Sequence, residues 1–402
     1  MLKIKTLVEL FDICQLENVI AGLKLCPEKI IYVGLKAAMS KRRQNSIVNF
    51  YKKKGINAEI SFEDIKENNL QDAIDKINYI LDNNEDCYFD LTGGSATFHA
   101  AVGAVSASRE VKLFRFDVKK SKFVDVLNCR TPLKMSNISM TINEALKLNG
   151  TSRVYSHLDI EWDLTEIFKR DVDSAWNIIC DNYGNWNSHT NAFNYILSHS
   201  EENEPLFYKF YGDAEAIGLD KIIMEELEAY GLISELEFES DKLSFRFKNL
   251  MIKQLLNKAG NTLEVMCYIL LNEIKEELPG LYEDISVSVN VDWDGDIHSE
   301  FDSIKDTRNE IDVMVMTGVR PVFISCKNGV VKKEALYELS TAAKHYGGKY
   351  ASMVLVSTKK PDDLIKYKYL EQRARDMRIN LIDDMCKFTR EGFKNALLKA
   401  VK

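Results

Sequence analysis

Residues 309–329, NEIDVMVMTGVRPVFISCKNG, constrain the chain more than any other stretch. They alternate in period two around a turn over 317–320, where Gly318 supplies the backbone freedom of a tight hairpin. Before the turn Glu310, Asp312, Met314 and Met316 share one face, and Ile311, Val313 and Val315 the other. After it Phe323, Ser325 and Lys327 share a face. Folding the hairpin about 318–319 sets Asp312 opposite Ser325 or Cys326. It also lets Asp312 and Lys327 approach where an otherwise apolar sheet opens. An acid and an amine at that point are costly unless they serve a site. Taken alone the pair reads as a strand-end salt bridge or as half of a site, and its surroundings decide.

A chain of 402 residues exceeds one ordinary core, so two or three domains are expected. With 46% hydrophobic and 28% charged residues the composition is that of a globular protein. No apolar run approaches the roughly 18 residues needed to span a bilayer. The start, MLKIKTLVEL, lacks the apolar core and cleavage site of a signal peptide. We therefore expect a cytoplasmic protein without a membrane partner. The eight cysteines are scattered with no CxxC pair, which argues against a structural zinc site and a disulfide framework. A net charge of −8, from 53 basic and 61 acidic residues, argues against broad duplex binding but permits a local basic groove.

The first third alternates strand and helix. Strands are predicted over 4–11, 29–33, 58–62, 87–91 and 111–116, and helices over 17–25, 44–54, 70–81 and 96–107. That order argues for a largely parallel sheet covered by helices. Its chemistry lies in DLTGGS, residues 90–95. A glycine pair between strand and helix lets backbone amides approach an anion at a helix N-terminus, and Thr92, Ser95 and Thr97 can add hydroxyls. The same residues also suit a tight turn with a serine cap. Ligands of a parallel sheet lie beyond the carboxyl ends of the strands, where segments 12–18, 34–43 and 92–97 converge. The second carries Lys36, Lys41, Arg42 and Arg43, which suit phosphates or form a solvated basic loop.

Residues 1–140, with DLTGGS after the fourth strand, resemble a CARF domain, the Rossmann-like sensor of cyclic oligoadenylate in type III CRISPR systems. The resemblance implies a ligand on the two-fold axis of a homodimer. It implicates Asp12, Gln15 and Asn18, then Lys36 and Ser40, then Thr92, Gly93, Gly94 and Ser95.

Residues 141–255 read as a mostly helical connector with a β-hairpin over 232–247. Trp162, Trp176 and Trp186 read as packing residues. The helix before the hairpin, KIIMEELEAY, resembles part of a winged helix, but Glu225, Glu226 and Glu228 would face phosphates. A structural connector fits better than a DNA reader.

In the last third, 256–402, a helix over 261–278 carries Glu264 in its first turn. Glu264 either serves the helix dipole or points inward beside Leu263, Val265 and Met266. A strand over 285–291, a polar loop over 292–308 that could cover or admit substrate, the hairpin, a helix over 332–346, and a strand over 351–357 follow. The order α-β-β-β-α-β with Glu264, Asp312 and Lys327 resembles the PD-(D/E)xK nuclease fold, a restriction-endonuclease-like α/β domain. Phosphodiester cleavage calls for a divalent metal, Mn2+ or Mg2+, on hard carboxylate oxygens. The resemblance implies Asp312, Glu264 and the Cys326 carbonyl as metal ligands, with Lys327 orienting or activating the nucleophile. One position departs: Ser325 stands where the motif's second acid belongs. Either Glu310 or Glu334 supplies that acid, or the site is weakened. Glu338 reads as a solvated helix residue.

The whole α/β multidomain chain thus resembles a CRISPR ancillary nuclease. The resemblance implies a homodimer activated by cyclic tetra-adenylate that cuts DNA or RNA, single-stranded or supercoiled. The alternative is a ligand-responsive regulator with an inactive nuclease fold. A sensor that degrades its own ligand has no clear cleavage residue here.

Overall fold

Short apolar runs separated by helices can bury both faces only as a parallel sheet with helices on each side. In the computed structural model, residues 4–118, 120–129, 133, 135–155, 161–295 and 308–402 are described. Strands β1 (Thr6–Leu10), β2 (Lys29–Leu35), β3 (Glu59–Ile65), β4 (Cys87–Asp90) and β5 (Lys112–Asp117) are parallel, in the order β3-β2-β1-β4-β5. Strand β6 (Lys122–Leu127), absent from the expectation, adds antiparallel to β5. Helices α1 (Glu17–Leu25) and α2 (Lys41–Lys53) cover one face, and α3 (Leu70–Asn83) and α4 (Ala96–Ser106) the other. Asn69 and Ser95 cap α3 and α4 by accepting the amides of Asp72 and Phe98.

Helix α5 (Ile142–Leu148) and the two-residue strand β7 (Ser152–Arg153) lead to a helical layer, α6 (Glu166–Asp181) and α7 (Trp186–Ser198). Then come β8 (Glu201–Glu204), β9 (Phe207–Tyr211), α8 (Lys221–Ala229), β10 (Ile233–Phe238), β11 (Lys242–Phe247) and α9 (Leu250–Leu256). The expected hairpin is β10–β11, and β9 and β8 extend it to a four-stranded antiparallel sheet. Trp176 and Trp186 are buried there, and Trp162 stacks on Phe168.

The last unit is α10 (Asn261–Glu277), β12 (Asp284–Asp292), β13 (Arg308–Thr317), β14 (Arg320–Val330), α11 (Lys333–Gly347), β15 (Ser352–Lys359), α12 (Leu364–Asp376), β16 (Ile379–Ile382) and α13 (Arg390–Val401). Its sheet runs β16-β15-β14-β13-β12-β7, so the connector's β7 forms its edge. The hairpin closes at Thr317↔Arg320 around Gly318, whose φ is 63°. From residue 296 to 307 the polar loop expected before the hairpin lies outside the described residues.

The period-two expectation fails at one level. Val313 and Val315 pack with α10, but Ile311 joins Met314 and Met316 in the cluster on the opposite face. The β12–β13 pairing skips from Val287↔Val313 to Val289↔Ile311, and Ser288 between them has a φ of 49°. A left-handed residue breaks the pleat, so both strands change faces across Ser288 and Asp312.

One hydrophobic cluster runs from Val19, Ile20 and Tyr51 of the first unit, through Leu146 of α5, to Phe323, Leu336 and Leu355 of the last. The first and last units also touch directly, where Lys349 of the last meets Glu17 of the first.

Candidate functional site

The hairpin pairing ends at Val313↔Ile324, and beyond it β13 and β14 splay. The unpaired Cys326 amide needs an acceptor. It finds the Asp312 carboxylate: Cys326 N–H donates to Oδ2 at 2.6 Å, and the Ser325 hydroxyl donates to the same oxygen at 3.1 Å. No hydrogen bond among the described residues reaches Oδ1. In an extended strand the N–H and C=O of one residue point to the same side, so the Cys326 carbonyl faces the same gap. Its thiol instead lies 3.7 Å from the Cys267 sulfur in the core beneath.

The gap opens into a cavity of about 200 Å³ lined by Glu310, Asp312, Ser325, Lys327 and Glu338. Lys327 lines it without an ion pair within 4 Å among the described residues. Its charge still lowers the Asp312 pKa, whose net shift is upward because burial dominates. Glu264 stands in the first turn of α10, and its carboxyl is pushed up to about 8, first by burial and then by Asp312 and Glu310. Lys258 and Lys327 oppose that shift, and Lys258 lies 3.9 Å from Glu310.

The structure thus brings Asp312, Lys327, Glu310 and Glu264 together. It leaves Glu334 outside, exposed in the first turn of α11 with Lys333 at 3.9 Å. One turn on, Glu338 reaches the cavity instead. The helical spacing of four holds both glutamates on one side of α11 and leaves the strand end to choose between them.

Among the described residues no three acidic, histidine or cysteine side chains form a ready metal cage. The residues nevertheless fit a hard divalent ion. Mg2+ is commonly held by one or two carboxylates with waters completing its shell. Glu264 is pushed toward its neutral form first by burial and then by the like charges of Asp312 and Glu310, which such an ion would offset, and Asp312 Oδ1 is uncommitted.

In the first unit, the loop after β1 is tied down by Asn18, which accepts the Asp12 amide and donates to its carbonyl, both at 2.8 Å. Asp12 in turn accepts the amides of Cys14 at 3.0 Å and Gly94 at 3.3 Å. Gly94 has a φ of 97°, and a Cβ there would stand 2.5 Å from that of Leu10. Only glycine fits. The Thr92 hydroxyl is already committed, donating to Asp90 and accepting the Phe116 amide at 2.7 Å. Asp12, Gly94 and Ser95 line a crevice of about 220 Å³ at the strand ends, Ser40 and Gln15 line a neighbouring cavity, and Lys36 is exposed.

Three acids escaped the sequence reading. Glu9 and Asp90 are register partners on β1 and β4, both buried, and Glu17 is buried in α1. Burial raises all three, Asp90 to about 6 and Glu17 to about 7. Glu9 and Asp90 are each a single acid at an apolar strand, Glu17 opens a helix, and only the tertiary structure reveals that they converge.

Residues 253–394 match the family model of the Card1-like endonuclease domain. None of the curated proteins matches the chain. Protein VC1899 from Vibrio cholerae shares the fold over 99% of this chain and 98% of its own, at 17% identity and a TM-score of 0.76. Can2 from Sulfobacillus thermosulfidooxidans, solved in complex with cyclic tetra-adenylate, shares it over 99% of both chains, at 16% identity and a TM-score of 0.69. The last third is thus similar to a Card1-like endonuclease domain. The expected α/β multidomain fold, with a Rossmann-like sheet and a second mixed sheet, holds.

Proposed function

We propose that this chain is a nuclease of type III CRISPR defence, dependent on Mn2+ or Mg2+ and switched on by cyclic tetra-adenylate. One observation carries the reading. At the splayed end of the hairpin, inside the stretch that matches an endonuclease domain, Asp312 and Lys327 share a cavity that Glu310 and Glu338 also line, with Glu264 beside it. Asp312, Glu264 and the Cys326 carbonyl would hold the metal, which when bound activates water and offsets the charge of the scissile phosphate. Lys327 orients the attacking water and stabilises charge developing on the phosphate oxygens. Ser325 and the Cys326 amide fix the Asp312 rotamer and leave Oδ1 for the metal. Glu310 supplies the acid that Ser325 does not.

The first unit, residues 1–140, serves as the sensor, 141–255 as the connector and 256–402 as the effector of a cytoplasmic homodimer. Asp12, Gln15, Asn18, Lys36, Ser40 and Thr92 to Ser95 surround the ligand end of the sensor. Asn18 and Thr92 hold the loops in place, and the Gly94 amide would reach a phosphate only by leaving the Asp12 carboxylate. The decisive experiment incubates the protein with manganese, cyclic tetra-adenylate, and mixed single-stranded and supercoiled nucleic acids. Cleavage that requires both metal and ligand supports the reading. Absence of cleavage on every substrate would leave a ligand-responsive regulator, the reading that Ser325 favours.

A further inference from the structure

The strand-end crevice of the sensor, at about 220 Å³, falls below the roughly 300–1,000 Å³ of small-molecule pockets. A cavity of about 880 Å³ adjoins it, and the two share Asp12 and Ile13 as their rim. This larger cavity lies between the sensor and the nuclease unit.

We propose that the phosphate-bearing ligand of the sensor is held jointly by both units, with Lys344 and Lys349 of the nuclease unit reaching its phosphates and Trp293 offering an adenine a stacking face. The proposal rests on the sensor reading above and extends it to residues of the effector. Cations outnumber acids on the cavity walls: Arg43 and Lys147 line one side and Lys344 and Lys349 the other, with Asp12 and Asp294 among them. Lys147 and Lys344 have no ion-pair partner among the described residues, so two cations stand uncompensated where a polyanion would be welcome. Trp293 is 38% exposed and stacks on His345 with ring centroids 3.8 Å apart and planes 8° apart. An indole exposed to that extent in the cavity wall offers a purine a platform. Inside the sensor wall, Gln15 is 2% exposed and neither of its amide atoms has a hydrogen-bond partner. Buried amides are rarely left so, and a ligand that reorders the loop gives this one something to bind.

Lys349 also makes the junction a switch. Its ammonium lies 2.5 Å from the Glu17 carboxylate, which is fully buried beneath Gly93, while its own side chain stays half exposed to the cavity. Ligand phosphate and Glu17 therefore compete for one cation. Lys349 follows directly on α11, whose middle carries Glu338 to the nuclease cavity. A ligand that alters the Lys349–Glu17 contact acts on the nuclease wall through one helix, and this differential contact is what coupling requires.

The test is calorimetric titration of the full chain with cyclic tetra-adenylate at low and high salt, using wild type, Lys344→Ala, Trp293→Ala and Lys327→Ala. Lys344→Ala should weaken binding about tenfold, the loss of one charge-assisted contact, and should flatten the salt dependence. Trp293→Ala should weaken binding without changing that dependence, and Lys327→Ala should bind as wild type. If wild type binds and both junction variants match it, the shared pocket is wrong and the sensor reading survives. If wild type does not bind, the sensor reading falls and this inference falls with it.

Discussion

The Ser325 hydroxyl donates to Asp312 Oδ2 at 3.1 Å, so the residue standing in the place of the motif's second acid orients the first one. A serine there keeps the uncompensated charge of the cavity low when no metal is bound. Ser325→Glu should reverse that balance. The metal-free variant should lose about 1–3 kcal/mol of stability, the cost of a partly buried charge without a partner. Manganese should bind about tenfold more tightly or better. Urea unfolding with and without manganese reads both effects. Unchanged metal affinity would show that position 325 does not face the ion.

Lys327→Ala should lower ligand-stimulated cleavage by about 10²–10³-fold, the scale of losing one donor to developing charge. Ligand binding at the sensor should be unaffected. Asp312→Asn separates the acid from its structural duty, since the amide oxygen still accepts the Cys326 N–H. Cleavage and manganese binding should both fall while the melting temperature stays near wild type. Undiminished cleavage in either variant would sink the site assignment.

The two glutamates of α11 are distinguished by where the helix sets them against the strand end. Glu334 is exposed beside Lys333, whereas Glu338 lines the cavity with Asp312 and Lys327. Glu334→Gln should leave cleavage within about twofold of wild type, and Glu338→Gln should lower it about tenfold or raise the metal requirement. Titrating cleavage against manganese separates the two variants. If neither substitution changes cleavage, neither side chain lies near the chemistry, and an equal loss in both would overturn the distinction between them.

The fold was legible wherever periodicity was strong. The alternation of β1 to β5 with helices, and the hairpin closing at Gly318, follow from runs that can bury themselves in only one way. Asp312 and Lys327 were legible because an acid and an amine interrupt an apolar strand pair. Glu338 and Lys349 were not, since a charged residue on an exposed helix face looks the same whether or not a cavity lies beside it. Ile311 was misplaced because no propensity marks Ser288 as left-handed. Glu17 drew no notice in the sequence because an acid in the first turn of a helix is common, yet tertiary packing buries it and brings Lys349 from 332 positions away.

That last contact has a pH signature with a definite sign. Burial raises the Glu17 pKa to about 7, against an ordinary carboxyl value of 4.5, although Lys349 pulls it down. The folded protein therefore holds the proton more tightly than the unfolded chain between those values. The contribution of Glu17 to stability is greatest at low pH and declines as pH rises toward 7. Lys349→Met removes the cation, raises the Glu17 pKa further and extends that decline to higher pH. At about pH 5.5 Glu17 is neutral in both proteins, and the substitution should cost little. At about pH 8.5 it should cost about 1–3 kcal/mol, less than the roughly 3–5 of a wholly buried pair because Lys349 keeps half its side chain in water. Glu17→Gln combined with Lys349→Met should restore a flat difference across the range. Urea midpoints at the two pH values decide it, and an equal loss at both would mean that the junction is held by packing and not by this ion pair.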